Sequence, residues 1–252
     1  MVTPYQFQCD YIAGCTPQIM DALLRHNLTE VPGYCEDMFC KEAEAKIREA
    51  CKSPDAGVFF FAGGTICNLS LISAVLRPWQ GVLAAPSGHI AAHETGAIEA
   101  TGHKVLEIDA VDGKLTAEAV RKALVSYRTN AERIFYVEPG LVYISNPTEL
   151  GTLYSLAELK ELSKVCREEG LFLYVDGARL AYALAAGDIK LEDYALLTDA
   201  FCIGGTKCGA LRSLGHHGSE ACARLPLGTA PARSASVQRS SCGIEFLDFL
   251  YR

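Results

Sequence analysis

The chain has 252 residues, of which 50% are hydrophobic and 21% are charged, and its net charge is −7. This length allows one large domain or two small ones, and the composition is ordinary for a soluble globular protein with a sizeable core. The negative charge argues against a nucleic-acid partner, because nucleic-acid binding requires a basic surface.

The cysteines and the N-terminal residues indicate in which cellular compartment the protein is expected. The eleven cysteines are odd in number and include no CxxC pair, which argues against a disulfide framework and a zinc ribbon. Reduced thiols of a cytoplasmic protein are the simpler interpretation. The N-terminus shows no secretory pattern, and glycine, asparagine and serine interrupt the longest uncharged run, residues 56–76. We therefore expect no membrane partner.

The first predicted elements are a helix, a strand and a buried helix. Residues 38–52 place Phe39, Ala43, Ile47 and Ala50 at helical spacing among charged residues, which predicts an amphipathic helix. A strand is predicted over 57–62, a turn at "GGT", and a buried helix over 66–76 that Pro78 ends.

Strands and helices then alternate. Strong helix signals are the N-caps Thr116 and Ser155, the capping-box partner Glu158 and the terminating Gly170. This alternation predicts an α/β fold with a mostly parallel sheet covered by helices on both faces. The predicted strands cover residues 81–85, 104–110, 133–138, 171–176 and 200–203, and the predicted helices cover 90–102, 116–127 and 155–170.

The C-terminal part changes in composition. Residues 212–242 contain no aromatic residue and no lysine, and they are rich in Ser, Ala, Arg, Gly and Pro. Such a composition predicts loop or disorder, because it offers little apolar surface to bury. We treat residues 1–211 as one domain and 212–252 as an atypical tail, whose last ten residues look amphipathic again.

Ligands of parallel sheets bind beyond the carboxyl ends of the strands. This rule predicts that the segments following the strands share one site. The segments are residues 63–65, 87–89, 138–146, 176–179 and 204–207.

Three of these segments carry chemistry that fits a phosphorylated cofactor. The "GGT" turn suits a phosphate at a helix N-terminus, although a turn without a ligand remains equally acceptable. Asp176 ends a buried strand, and its partner is either Arg179 or a protonated ring nitrogen of a cofactor. Lys207 is either a surface lysine or an amine that forms a Schiff base. Together the three match the needs of pyridoxal phosphate.

Other ligand classes have weaker support in the sequence. No GxGxxG, P-loop or GxSxG pattern occurs, which argues against a nicotinamide-dependent oxidoreductase. His89, His93 and Glu94 in "HIAAHE" lack the HExxH order of a metal pair, so stacking on a cofactor ring is the better interpretation for His89.

The chain resembles the low-specificity threonine aldolases, in the β-eliminating-lyase group of fold-type-I pyridoxal-phosphate enzymes. The matching pieces are "FQCDYIAGCTP", "PGYCED", "GGTICN", "GHIAAHETGA", "SNPTELGTLYSLAELKELSKVCREEGLFLYVDGARLAYAL" and "IGGTKCGAL", in family order over residues 7–211. The resemblance implies an aspartate-aminotransferase-like large domain with its active site at a subunit interface, in a homodimer or homotetramer.

The resemblance also implies roles for individual residues. Lys207 would form the Schiff base with pyridoxal 5'-phosphate, Asp176 would pair with the ring nitrogen, and His89 would stack on the ring. The remaining roles are phosphate binding by Gly64, Thr65 and Thr206, contact with the cofactor or substrate carboxylate by Arg179, and substrate binding in the segment of Asp10 and Tyr34. Cys35 stands where the family commonly has glycine, so a positive φ there would be strained.

The implied reaction is retro-aldol cleavage of L-threonine or L-allo-threonine to glycine and acetaldehyde, with a histidine or a water as base. After Leu211 the family would continue into more of the large domain and a small C-terminal domain, which this sequence does not resemble. We hypothesise that residues 212–242 are a reading-frame excursion. The alternative function is a non-catalytic or weakly active remnant that binds the cofactor or a partner subunit.

Overall fold

The computed structural model describes residues 7–211 and 220–224, and its centre is a seven-stranded sheet with the order β1-β7-β6-β5-β4-β2-β3. Strands β6, β5, β4, β2 and β3 run parallel to one another, and β7 runs antiparallel to both of its neighbours. The strands are β1 (Gly57–Phe61), β2 (Gln80–Ala84), β3 (Val105–Glu107), β4 (Glu138–Ser145), β5 (Phe172–Asp176), β6 (Ala200–Gly204) and β7 (Glu220–Arg224).

Helices cover both faces of this sheet, as predicted. They are α1 (Pro17–His26), α2 (Met38–Ala50), α3 (Gly64–Val75), α4 (His89–Ala92), α5 (Ala117–Thr129), α6 (Leu156–Glu169), α7 (Leu180–Ala186) and α8 (Leu191–Leu197). Single 3₁₀ turns occupy Glu99–Thr101 and Arg133–Phe135.

Side chains that alternate along the central strands point into two separate hydrophobic cores, one on each face of the sheet. On one face Val142, Val175 and Phe201 pack with residues of α2, α5 and α6. On the other face Leu141 and Tyr174 pack with residues of α3, because successive strand side chains point to opposite sides. Because both faces of the sheet are buried, its central strands consist of nearly uninterrupted apolar residues.

The local capping signals are confirmed. The side chain of Ser155 accepts a hydrogen bond from the amide of Glu158, and the two residues form a capping box at the start of α6. The side chain of Thr116 accepts a hydrogen bond from the amide of Ala119 at the start of α5, and Gly170 ends α6 in the left-handed conformation. These ends could be predicted because their partners lie within one helical turn.

The predicted strand over 133–138 is wrong. Residues 133–135 form a 3₁₀ turn whose Ile134 and Phe135 are largely exposed, and the strand runs over Glu138–Ser145. The prediction followed the high strand propensity of β-branched and aromatic residues that are exposed in the structure. The strand forms instead from the later residues, which are buried in the sheet. Pro139 and Gly140 stand in the strand because the register with β2 shifts there, as in a β-bulge.

Two further predictions need correction. The helix over 90–102 is broken into α4 and a 3₁₀ turn, because Thr95 and Gly96 both adopt positive φ. The strand over 104–110 shortens to the three residues that pair with β2. Helices α1, α7 and α8 were not predicted.

The atypical tail is described only over β7, at residues 220–224, where the backbone forms a strand rather than a loop. The rest of residues 212–252 lies outside the described residues, so the proposed excursion and the amphipathic C-terminus stay predictions. Within the described residues no helix is long and apolar enough to cross a membrane. None of the nine cysteines described within residues 7–211 belongs to a disulfide.

Candidate active site

A cavity of about 280 Å³ opens at the carboxyl ends of the strands. All five predicted segments contribute residues to its lining, and the segment 138–146 does so through Ser145 at the end of β4. The cavity is thus where the rule for parallel sheets places it. Its lining consists of Tyr11, Ala62, Gly63, Gly64, Thr65, His89, Ser145, Pro147, Glu149, Asp176, Ala178, Arg179, Thr206 and Lys207.

One end of the cavity is the start of helix α3. Gly63 precedes the helix, and Gly64 and Thr65 are its first two residues. The first backbone N–H groups of a helix have no partner within that helix, and the helix dipole favours an anion beside them. Because an added Cβ at Gly63 would meet nothing within 4 Å, the backbone is open to a ligand here. This end suits a phosphate.

Asp176 is the buried carboxylate of the site, with 4% of the residue exposed. Its Oδ2 accepts hydrogen bonds from the Tyr143 hydroxyl at 2.6 Å and from Asn68 Nδ2 at 3.0 Å, and its Oδ1 accepts from the amide of Ala178 at 2.9 Å. Both oxygens of this buried carboxyl group therefore have hydrogen-bond donors, as a buried polar group requires. Burial, and next the charge of Asp176, raise the pKa of Tyr143 well above its ordinary value, so this phenol stays a donor.

Arg179 does not pair with Asp176, which removes one of the two alternatives that the sequence left open. Its Nη2 donates to Asp10 Oδ1 at 2.9 Å, and its Nε donates to Asp10 Oδ2. This hydrogen-bonded pair lowers the pKa of Asp10 and raises the pKa of Arg179. The predicted substrate segment around Asp10 is therefore fixed at the cavity.

Lys207 lines the same cavity as Asp176 and follows strand β6. Its Nζ lies 5.8 Å from the ring centroid of Tyr11, a cation–π distance. Its carbonyl oxygen accepts from the Tyr182 hydroxyl at 3.0 Å, and the carbonyl of Gly209 accepts from the amide of Thr16 at 2.9 Å. The N-terminal segment thus packs directly against the turn that carries Lys207 and Thr206.

His89 begins helix α4 and is bound at two points. Its Nδ1 lies 2.8 Å from Glu94 Oε1, and its backbone N–H donates to Glu149 Oε1 at 2.8 Å. The hydrogen bond to Glu94 raises the pKa of His89, against an opposing effect of burial. The ring lines the cavity, where the sequence predicted it.

Tyr34 is not brought to the site. Within the described residues it is absent from the cavity lining, and 76% of it is exposed. Tyr34 and Cys35 both adopt positive φ, at 63° and 60°. The sequence predicts strain if Cys35 has a positive φ, and this non-glycine residue does occupy the left-handed conformation.

Several functional side chains were missed by sequence reasoning. Tyr11 and Glu149 line the cavity without a recognised motif, although both fall inside the quoted family pieces. Asn68 also falls inside a quoted piece, "GGTICN", but it was given no role, and Tyr143 carried no signal; each contacts Asp176 across more than thirty residues of sequence. Glu94 was considered only as part of a metal motif, and the described residues hold no group of three or more potential metal ligands.

The residues present fit pyridoxal phosphate. A helix N-terminus, a buried carboxylate with fixed donors, an imidazole and a lysine surround one cavity of suitable size.

The fold and this site define a class, the aspartate-aminotransferase-like α/β proteins. A Thermus thermophilus aspartate aminotransferase structure matches with a TM-score of 0.63 at 18% identity, covering 85% of this chain and 57% of that one, which supports the fold alone. Residues 6–212 match the model of the beta-eliminating lyase family, and the chain belongs to that family.

Relatives in this family include threonine aldolases. The low-specificity L-threonine aldolase of Pseudomonas aeruginosa is 32% identical over 208 residues, which cover 81% of this chain and 59% of the relative. A threonine aldolase structure from Leishmania major has a TM-score of 0.80 and 46% identity, covering 88% of this chain and 63% of that chain. The resemblance predicted from the motifs is confirmed, and this chain spans about three-fifths of these relatives.

Proposed function

We propose that the protein is a pyridoxal-phosphate-dependent lyase that cleaves L-threonine or L-allo-threonine to glycine and acetaldehyde. The observation that carries the proposal is the placement of Lys207, Asp176 and His89 around one cavity at the start of α3. The threonine aldolases among its relatives support the choice of reaction. Pyridoxal phosphate, when bound, would accept the electrons of the broken Cα–Cβ bond.

Each residue then has a defined task. Lys207 would hold the cofactor covalently, Asp176 would accept a hydrogen bond from its ring nitrogen, and His89 would pack against its ring. Gly64, Thr65 and Thr206 bind the phosphate, because α3 directs its first N–H groups to that end of the cavity. Arg179 binds a carboxylate of the substrate, for which a guanidinium offers two parallel donors.

The substrate's β-hydroxyl proton needs an acceptor. Apart from Asp176, the candidate acceptors of this proton in the cavity lining are His89 and Glu149. Glu149 Oε1 already accepts from the Ser145 hydroxyl and the His89 amide, which leaves its second oxygen for this task. Asp10 acts on the substrate through Arg179, whereas Tyr34 would contribute only from a neighbouring subunit.

The proposal extends to organisation. Residues 1–211 form the cofactor-binding domain, the protein assembles as a homodimer or homotetramer, and it works in the cytoplasm without nucleic-acid or membrane partners. Light scattering coupled to gel filtration measures the assembly. A monomer would remove the neighbouring subunit through which Tyr34 is proposed to act.

The alternative function is binding of the cofactor, or of a partner subunit, with little or no turnover. The residues that line the cavity support cofactor binding whether or not turnover follows. Two measurements separate the candidates. Purified protein with pyridoxal phosphate should show a visible absorption band that Lys207→Ala abolishes and the exposed-lysine control Lys164→Ala keeps.

The second measurement is release of acetaldehyde from threonine. Release that depends on Lys207 identifies the aldolase, and a band without release identifies a cofactor-binding remnant. Absence of the band in the unchanged protein would overturn the cofactor assignment itself.

A further inference from the structure

We propose that Asn68 and Glu94 are positioning residues that join His89 and Asp176 in one buried hydrogen-bond network beneath the cavity. The proposal deepens the proposed function and rests on it, because His89 and Asp176 are the side chains assigned to the cofactor ring. Neither Asn68 nor Glu94 lines the cavity.

Asn68 lies on α3 and is 1% exposed. Its Nδ2 donates to Glu94 Oε1 at 2.7 Å and to Asp176 Oδ2 at 3.0 Å, while its Oδ1 accepts from the Tyr174 hydroxyl at 2.7 Å. The two hydrogens of one amide group thus serve two buried carboxylates. An apolar residue at this position would leave both carboxylates without that donor.

Glu94 has a fully buried side chain. Its Oε1 accepts from Asn68 and lies 2.8 Å from His89 Nδ1, whereas its buried Oε2 has no hydrogen-bond partner among the described residues. Burying a carboxylate costs free energy of desolvation unless hydrogen-bond donors compensate it. The contacts of Asn68 and His89 with Oε1 therefore stabilise Glu94 at this buried position.

An ionised Glu94 fixes the proton on His89 Nδ1, because a carboxylate can only accept. The neutral imidazole then presents Nε2 as its unprotonated nitrogen, and the ring cannot rotate without breaking the contact. This arrangement resembles the carboxylate that orients a catalytic histidine in other sites. Glu94 acts through His89, and Asn68 acts through Glu94 and Asp176.

Several charged or titratable groups face His89. Glu94, Asp176 and Glu149 are acidic, Lys207 is basic, and the His93 ring lies 5.7 Å away between centroids. Glu94 makes the only side-chain hydrogen bond to the imidazole recorded within residues 7–211. Removing its charge should therefore change the titration of His89 more than any other single change among these groups.

The test is NMR titration of His89 in protein without added cofactor, with wild type, Glu94→Gln, Glu94→Ala and Asn68→Ala. In Glu94→Gln the pKa of His89 should fall below that of wild type, because the negative charge beside the imidazole is lost, while the Nδ1–H tautomer persists because the amide oxygen still accepts. In Glu94→Ala both the raised pKa and the tautomer preference should be lost. In Asn68→Ala the Nδ1–H signal should broaden, because Glu94 loses its anchor.

Ser163→Ala is the matched control, since Ser163 is a buried polar residue whose hydroxyl has no partner among the described residues. Its His89 titration should equal that of wild type. An unchanged pKa in Glu94→Gln, or an unchanged tautomer in folded Glu94→Ala, would overturn the proposal. Because the titration needs no cofactor, this failure is distinguishable from a failure of cofactor binding, which the absorption band reports.

Discussion

The backbone amide of Gly204 donates a hydrogen bond to the carbonyl oxygen of Gly177 at 2.9 Å. This bond joins the turn after Asp176 to the turn that leads to Lys207. Both positions need glycine, because an added Cβ at Gly177 would lie 2.0 Å from the Cys202 carbonyl oxygen and one at Gly204 would lie 2.5 Å from the Ala178 carbonyl oxygen. The two glycines therefore allow the backbone segments that follow Asp176 and precede Lys207 to approach each other closely.

Gly177→Ala should reduce the free energy of unfolding by about 3 kcal/mol or more, because rigid backbone atoms must move. Urea denaturation followed by circular dichroism measures the loss. Gly14→Ala is the control, since nothing lies within 4 Å of an added Cβ there, and it should change stability by about 0.5 kcal/mol at most. Equal stabilities of the two variants would contradict the close approach.

Tyr143→Phe should lower the free energy of unfolding by about 1–3 kcal/mol, because it removes a buried donor from the Asp176 carboxylate. Denaturant unfolding at pH 7 gives the value. The control is Tyr136→Phe, at a tyrosine that is 56% exposed, which should stay within about 0.5 kcal/mol of wild type. A loss no larger than that of the control would show that the hydroxyl does not support Asp176.

Asp10→Asn should produce a pH-dependent loss of stability. Arg179 holds the pKa of Asp10 below 3.8, so the pair stabilises the folded state above that pH, and its contribution disappears as pH falls through the folded pKa. The difference from wild type should be at most about 1 kcal/mol, because both side chains are about one-third exposed.

Thermal or urea unfolding of wild type and Asp10→Asn between pH 7 and about pH 2 measures this difference. The two stability curves should be separated at neutral pH and converge in acid. A separation that grows towards low pH would contradict the sign.

Cys35→Val should destabilise the fold by about 2 kcal/mol, because a β-branched residue is poorly tolerated at a φ of 60°. Cys35→Gly should change stability by less than about 1 kcal/mol, since relief of the backbone offsets the lost buried side chain and the freer unfolded chain. Calorimetric or denaturant unfolding ranks the variants. Valine as stable as glycine would contradict the left-handed conformation.

How much the sequence predicted depended on the range of the interactions. The ends of α5 and α6 were predictable because Thr116 and Ser155 bind amides three residues away. The gathering of Thr65, His89, Asp176 and Lys207 was predictable because strand ends of a parallel sheet meet at one edge.

The features that the sequence did not predict depend on contacts between residues that lie far apart in the chain. The start of β4 was missed because Gly140 packs against Gln80 and Leu76, a contact that composition does not reveal. The partner of Arg179 was missed because Asp10 lies 169 residues away in sequence. Asn68 was missed because its role depends on Glu94 and Asp176, which only the folded chain brings together.

Borohydride reduction of the protein with stoichiometric pyridoxal phosphate, followed by peptide mass spectrometry, tests the central claim most directly. The account predicts that the pyridoxyl group is found on the peptide containing Lys207, and that Asp176→Asn weakens this labelling. Labelling spread over exposed lysines such as Lys164, with Lys207 unmodified, would contradict the account.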